Sequence, residues 1–108
     1  MLGVYLDLRA NEDWIRLVEA FTRKLRLRVP GVVKVVALAS PEERVYDSNV
    51  LVVVEEEEEL IERRVVDAAI EAEEETGMHG QLSPITCTIK EPLLERFIGG
   101  FTVEVEHL

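Results

Sequence analysis

The sequence lacks long apolar runs, paired cysteines and an N-terminal basic segment, and each absence excludes a class of protein. Apolar runs such as Val50–Val54 are far shorter than the roughly 20 residues of a membrane-spanning helix. Cys87 is the only cysteine, so no intramolecular disulfide can form, which agrees with a reducing compartment. The first residues do not resemble a secretory signal, and we expect a cytoplasmic protein.

Positive charge is also scarce. The chain has 12 Lys and Arg residues against 22 Asp and Glu residues, which gives a formal net charge of −10 at pH 7. Contacts with phosphates supply most of the non-specific affinity for nucleic acids, so this charge works against nucleic-acid binding. Only two Asn and one Gln accompany the many glutamates, a composition typical of heat-adapted proteins.

The remaining composition is that of a folded domain. The chain has 108 residues, of which 47% are hydrophobic, and this is enough for one core but not for two. No repeat or linker divides it. We therefore expect a single domain over residues 1–108.

Two helices are predicted from apolar spacing and capping residues. Asn11 is a favourable N-cap, and Pro30 and Gly31 end the first helix near Arg28. Its inner face is predicted to contain Trp14, Leu17, Val18, Phe21 and Leu25. The second helix is predicted from about Glu57 to Thr76, with Gly77 as its C-terminal cap. Its inner face is predicted to contain Leu60, Ile61, Val65, Ala68, Ala69 and Ala72.

Short runs rich in β-branched residues predict the strands. Val32–Ala39 and Val50–Val54 are typical of strands that are buried on both faces of a sheet. Ile85–Ile89 predicts a third strand, Lys90–Ile98 a short helix, and the alternating residues 101–106 an edge strand. This order predicts an α/β (α+β) fold, in which helices flank a mixed β-sheet of about four strands.

Two segments carry a resemblance to a known family. The sequence from Gly31 to Ser40 reads GVVKVVALAS, and that from Asp47 to Glu55 reads DSNVLVVVE. Together they resemble the core of the DNA-polymerase-beta-like nucleotidyltransferase superfamily, and in particular its minimal nucleotidyltransferases. In that family one buried strand ends in Gly-Ser, and the next opens with Asp-x-Asp. A Glu-rich helix and a segment such as Leu82–Glu91 then follow, so the resemblance implies a nucleotidyltransferase-like fold.

The resemblance also implies a chemistry. In the family, two acids that lie two residues apart on a strand point the same way and hold two magnesium ions against a nucleoside triphosphate. The Gly-Ser turn presents backbone N–H groups to the phosphates. In this chain the glycine is replaced by Ala39 and the serine is kept as Ser40, which is the candidate nucleotide-binding residue.

The acid pair is incomplete in either of two possible alignments. If Asp47-Ser48-Asn49 is the pair, one acid remains and the second is Asn; if the pair begins at Asn49, both acids are lost. Asp47 and Asn49 are therefore the candidate catalytic and metal-binding residues. In addition, Ser40 to Glu43 form a capping-box pattern, and its carboxylates would repel a triphosphate.

Other charged or reactive residues can be interpreted either as functional or as ordinary structural residues. Arg23, Lys24, Arg26 and Arg28 form the one basic concentration in the chain, and they are candidates for binding a partner or a phosphate. They also complement the dipole at the end of a helix. The run Glu55–Glu59 is typical of a solvated helix N-terminus, and Cys87 of a small buried hydrophobic residue.

These observations favour one function and leave two alternatives. We expect a catalytically degenerate nucleotidyltransferase-like protein that acts as a binding module and needs no cofactor. The resemblance implies a helical HEPN-type partner in a toxin–antitoxin arrangement, and self-association is the other candidate assembly. The alternative is an active magnesium-dependent enzyme that uses Asp47 and Asn49 to transfer a nucleotide from ATP or another triphosphate to a hydroxyl. An unrelated α/β domain is the third possibility.

Overall fold

The computed structural model of this chain describes residues 11–38 and 48–90, and the backbone of residues 101–102. Residues 39–47 lie outside this description. So do residues 91–98 of the predicted helix Lys90–Ile98 and residues 103–106 of the predicted edge strand. The described elements are α1 (Glu12–Arg28), β1 (Val32–Ala37), β2 (Val50–Val54), α2 (Glu59–Thr76), β3 (Pro84–Thr88) and β4 (Phe101–Thr102).

The strands form a mixed sheet in the order β3-β2-β1-β4. β1 pairs antiparallel with β2, and β2 pairs parallel with β3 across the connection through α2. The two-residue β4 pairs antiparallel with the end of β1. The predicted mixed α/β architecture is confirmed at this level.

The first helix follows its capping signals. The Asn11 side-chain oxygen accepts a hydrogen bond from the Trp14 backbone N–H at 3.0 Å, and this satisfies one of the donors that a helix start leaves unpaired. Glu12 and Asp13 occupy the first turn, where the helix dipole favours negative charge. All five residues of the predicted inner face are buried.

The second helix begins at Glu59, two residues later than predicted, because Glu58 takes an extended conformation. It ends at Gly77, whose φ of 75° is the left-handed conformation that glycine adopts without steric cost. The prediction that Leu60 faces the core is wrong: its side chain is 53% exposed. Neighbouring helical residues are about 100° apart, so burial of Ile61 turns Leu60 away from the core.

The first strand is only half buried, in contrast to the prediction for Val32–Ala39. Its register against β2 shifts between Val32 and Lys34, which places an extra residue in the strand. Val33 and Lys34 are exposed, whereas Val35 to Ala37 are buried. The third strand begins at Pro84, one residue earlier than predicted, and Ile89 follows it in a turn.

Both faces of the sheet are apolar. Val50, Val52 and Val54 face the helices, whereas Leu51 and Val53 lie on the opposite face with Cys87. As predicted, every residue of β2 is buried. The Trp14 indole N–H, which is in the helix-facing core, donates to the Leu38 carbonyl at 3.1 Å and thereby ties α1 to the end of β1. Neither α1 nor α2, the helices of the described part of the chain, is long and apolar enough to cross a membrane.

Candidate functional site

The position predicted to bind metal lies where the chain enters β2. Ser48 and Asn49 are both buried there, immediately before the strand residue Val50. Asp47 and Ser40, the other candidates for metal and nucleotide binding, lie outside the described residues. The geometry of the candidate site is therefore that of Asn49 and its neighbours.

The Asn49 side chain is held by the segment that precedes β3. Its Nδ2 donates to the Gln81 backbone carbonyl at 2.7 Å, and its Oδ1 accepts from the Ser83 backbone N–H at 2.9 Å. Its own backbone continues the sheet on both sides. The Asn49 N–H donates to the Ser83 carbonyl, and the Asn49 carbonyl accepts from Leu38. Both ends of the amide thus join the β2 entrance to the loop before β3.

This arrangement requires an amide at position 49. An aspartate of the same shape would place a carboxylate oxygen near the Gln81 carbonyl oxygen, and two acceptors at that distance repel each other. A buried, unpaired acceptor also loses its hydration without compensation. The hydrogen bonds therefore favour asparagine over aspartate at this position.

The basic residues at the end of α1 contact glutamates of α2. The Arg28 guanidinium donates two hydrogen bonds to the Glu71 carboxylate. The Glu75 carboxylate lies 3.2 Å from Arg23 Nη2 and 3.5 Å from Lys24 Nζ. Of the four candidate partner-binding residues, three are thus engaged within the chain, and Arg26 is exposed to solvent.

The pair Arg28–Glu71 shifts the pKa values of both groups. The hydrogen bond from Arg28 lowers the pKa of the Glu71 carboxyl below its ordinary value of 4.5, although partial desolvation opposes this change. The same hydrogen bond raises the pKa of Arg28 above its ordinary value. Because the pair lies at the surface, water and salt screen it, and its contribution to the contact between the two helices is modest.

The burial or exposure of the remaining candidate residues agrees with structural roles. Cys87 is fully buried in the second face of the sheet, as predicted. The run Glu55–Glu59 is exposed at the start of α2, as expected of a solvated helix terminus. Within the two described ranges, no three His, Cys, Asp or Glu side chains are grouped in a way that could hold a metal ion.

One exposed apolar surface was not predicted from the sequence. Leu60, Val66 and Ile70 are exposed on the side of α2 that faces away from the core. Val66 and Ile70 are four residues apart in a Glu-rich helix and fall outside its inner apolar stripe, and this spacing was the available signal. The apolar spacing instead predicts a core position for Leu60.

The fold and the site together define a small mixed α/β domain with a buried, hydrogen-bonded asparagine at the head of its central strand. Comparison of the chain with protein-family models, with curated proteins and with solved structures finds no match in any of the three.

Proposed function

We propose that this chain is a nucleotidyltransferase-like protein in which the metal-binding position has become structural, and that it acts as a binding module. The observation that carries the proposal is the environment of Asn49. Its amide donates to one backbone group and accepts from another, so the side chain holds the sheet together at the point where the family's acid would hold a metal ion.

The arrangement of the described elements supports the family assignment. A helix, two antiparallel strands, a Glu-rich helix and a further strand follow one another in the order expected from the resemblance. The segment from Asn49 to Val54 enters the sheet as its fully buried strand, as the resemblance implies for the strand that opens with the acid pair.

The loss of one carboxylate bears directly on catalysis. Two divalent ions beside a triphosphate need several negative oxygen ligands, because the ions repel each other at short range. In either alignment at most one acid of the pair, Asp47, is left. A binding role then becomes the function that the remaining features favour, and the exposed aliphatic residues of α2 provide a surface for it. The partner is a helical protein of the HEPN type or a second copy of the chain.

Calorimetric titration with Mg²⁺ and ATP tests the non-catalytic part of the proposal. We expect no saturable heat from the wild-type chain, and no difference between it and the Asp47→Ala variant. Asp67→Ala is the matched control, since Asp67 is an exposed acid on α2. Saturable binding that is lost in Asp47→Ala and kept in Asp67→Ala would establish the alternative of a working nucleotidyltransferase.

A further inference from the structure

An apolar stripe runs along the outer side of α2. Leu60, Val66 and Ile70 are 53%, 52% and 48% exposed, and Arg63 lies between the first two. Positions 60, 63, 66 and 70 are separated by three, three and four residues, the spacing that aligns side chains along one side of a helix. We refer to these four residues as the α2 outer stripe.

The α2 outer stripe is long enough to contact another helix. Ile70 is ten positions after Leu60 in the α-helix, which corresponds to a distance of about 15 Å along the axis. Its N-terminal half borders an open surface depression of about 690 Å³, which Leu60, Arg63 and Val66 line together with glutamates. Single exposed apolar residues are ordinary on protein surfaces, whereas contiguous exposed apolar patches mark interaction sites.

Acidic side chains surround the stripe. Each of four exposed acids is four residues from a stripe residue and therefore neighbours it on the helix surface: Glu59 and Asp67 neighbour Arg63, Glu62 neighbours Val66, and Glu74 neighbours Ile70. Arg63 is the one cation within the stripe. Acidic neighbours of exposed aliphatic side chains favour a partner that presents aliphatic side chains next to lysine or arginine.

We infer that the α2 outer stripe docks an amphipathic helix of a partner protein, with an aliphatic ridge and a cationic border. This inference rests on the proposed binding function and identifies the surface that performs it. The stripe has helical spacing, so the i, i+3, i+4 and i+7 positions of a second helix would match it. A second copy of the chain fits less well, because contact through this surface would bring like-charged acidic side chains together in a molecule of net charge −10.

A designed peptide provides the probe. It is a fluorescein-labelled Leu/Lys peptide of about 18 residues, or five helical turns, with leucines on one face, and a scrambled peptide of the same composition is its control. Fluorescence anisotropy measures binding to the wild type and to a variant carrying Val66→Ser and Ile70→Ser. A protein with Leu27→Ser and Ile89→Ser is the matched control, since these residues are 72% and 56% exposed elsewhere on the surface.

We expect the designed peptide to bind the wild type and the control variant alike. The Val66→Ser, Ile70→Ser variant should bind it at least tenfold more weakly, which corresponds to about 1.4 kcal/mol or more. Replacing Glu62 and Glu74 by Gln should weaken binding and reduce its dependence on salt, because exposed charges act through screened electrostatics. Circular dichroism checks that each variant is folded.

Three results would overturn the inference. They are the absence of binding to the wild type, equal binding of the scrambled peptide, and equal weakening in the control variant. Sedimentation velocity provides a fourth: if the wild type dimerises and the Val66→Ser, Ile70→Ser variant does not, the stripe pairs two copies instead. The titration with Mg²⁺ and ATP measures nucleotide binding and not peptide binding, so failure of the docking inference is distinguishable from failure of the proposed function.

Discussion

Asparagine and aspartate occupy nearly the same space, so hydrogen bonding rather than size decides which of them fits at position 49. The amide donates to the Gln81 carbonyl and accepts from the Ser83 N–H, and only asparagine supplies both functions. The side chain is 6% exposed, so water cannot replace a lost partner at little cost. A single amide thus joins two segments of the fold that are distant in the sequence.

We predict that Asn49→Asp destabilises the protein by about 2–4 kcal/mol, because it buries a carboxylate against a carbonyl oxygen. Urea unfolding, followed by the fluorescence of Trp14, the only tryptophan, measures the loss. Asn11→Asp is the control: its side chain only accepts a hydrogen bond, and Asp is as good an N-cap as Asn. Wild-type stability in Asn49→Asp, or a rise in its stability on addition of Mg²⁺, would contradict the structural role of Asn49.

The contrast between the two asparagines shows what the sequence can predict at this scale. Asn11 caps a donor only three residues away, and its role was predicted correctly because both partners lie within one turn. The partners of Asn49 are 32 and 34 residues away in sequence. Its position at the start of a buried strand was predictable, but its hydrogen bonds depend on a strand pairing that local patterns do not reveal.

At the scale of elements, the two helices are joined by packing and by charge. The inner face of α2 is rich in alanine, which lets its backbone approach α1 closely, and the ion pairs lie beside this contact. The Arg28–Glu71 pair links the last turn of α1 to the C-terminal half of α2. Because the pKa of Glu71 is lower in the folded protein, the contribution of this pair depends on pH.

We predict that the difference in stability between the wild type and Glu71→Gln is fully present above pH 4.5 and disappears as the pH falls through the lowered pKa of Glu71. The sign follows from proton binding: below the ordinary value, the unfolded chain binds the proton more readily, so acid favours unfolding. Arg28 stays charged throughout. Urea unfolding of both proteins at pH 7 and at pH 3 measures the difference, with Glu74→Gln as an exposed control on the same helix. A difference that is unchanged at pH 3 would show that charge is not its cause.

A second prediction at this scale concerns the stability of the C-terminal cap of α2. Gly77 has a φ of 75°, and a Cβ atom added there would meet nothing within 4 Å. The cost of Gly77→Ala is therefore a backbone cost, which we expect to be about 1 kcal/mol, with Gly77→Asn less destabilising. Thermal and urea unfolding of the two variants measure it. Equal stability of the alanine variant and the wild type would show that the cap relaxes to another conformation.

Helix ends were predictable because their capping signals are local. The burial of a side chain within a helix or strand was not always predictable, because it depends on how the elements pack. Leu60 and Ile61 are adjacent apolar residues, and the sequence does not show which of them faces the core. The bulge at the start of β1 arises from pairing with β2, so the run Val32–Ala39 gave no sign that Val33 would be exposed. The charges of Arg23 and Arg28 were recognised, but their partners on α2 became visible only with the packing of the helices.

At the scale of the whole molecule, β2 lies between two apolar clusters. Val52 belongs to the cluster that includes both helices, and Val53 belongs to the opposite cluster with Leu51 and Cys87. Adjacent residues of one strand therefore stabilise opposite sides of the sheet. If the chain is one cooperative unit, as its length indicates, a loss on either side should lower the stability of the whole.

We predict that Val52→Ala and Val53→Ala each destabilise the protein by about 2 kcal/mol, since each removes buried methyl groups and leaves a cavity. Trp14 is in the helix-facing cluster, so its fluorescence reports on the side opposite Val53. In Val53→Ala, the urea transition of Trp14 fluorescence should shift as far as that of far-UV circular dichroism, because one unfolding event exposes both faces. If the Trp14 transition stays at its wild-type midpoint while the circular dichroism signal moves, the second face unfolds on its own, and cooperativity does not extend through the central strand.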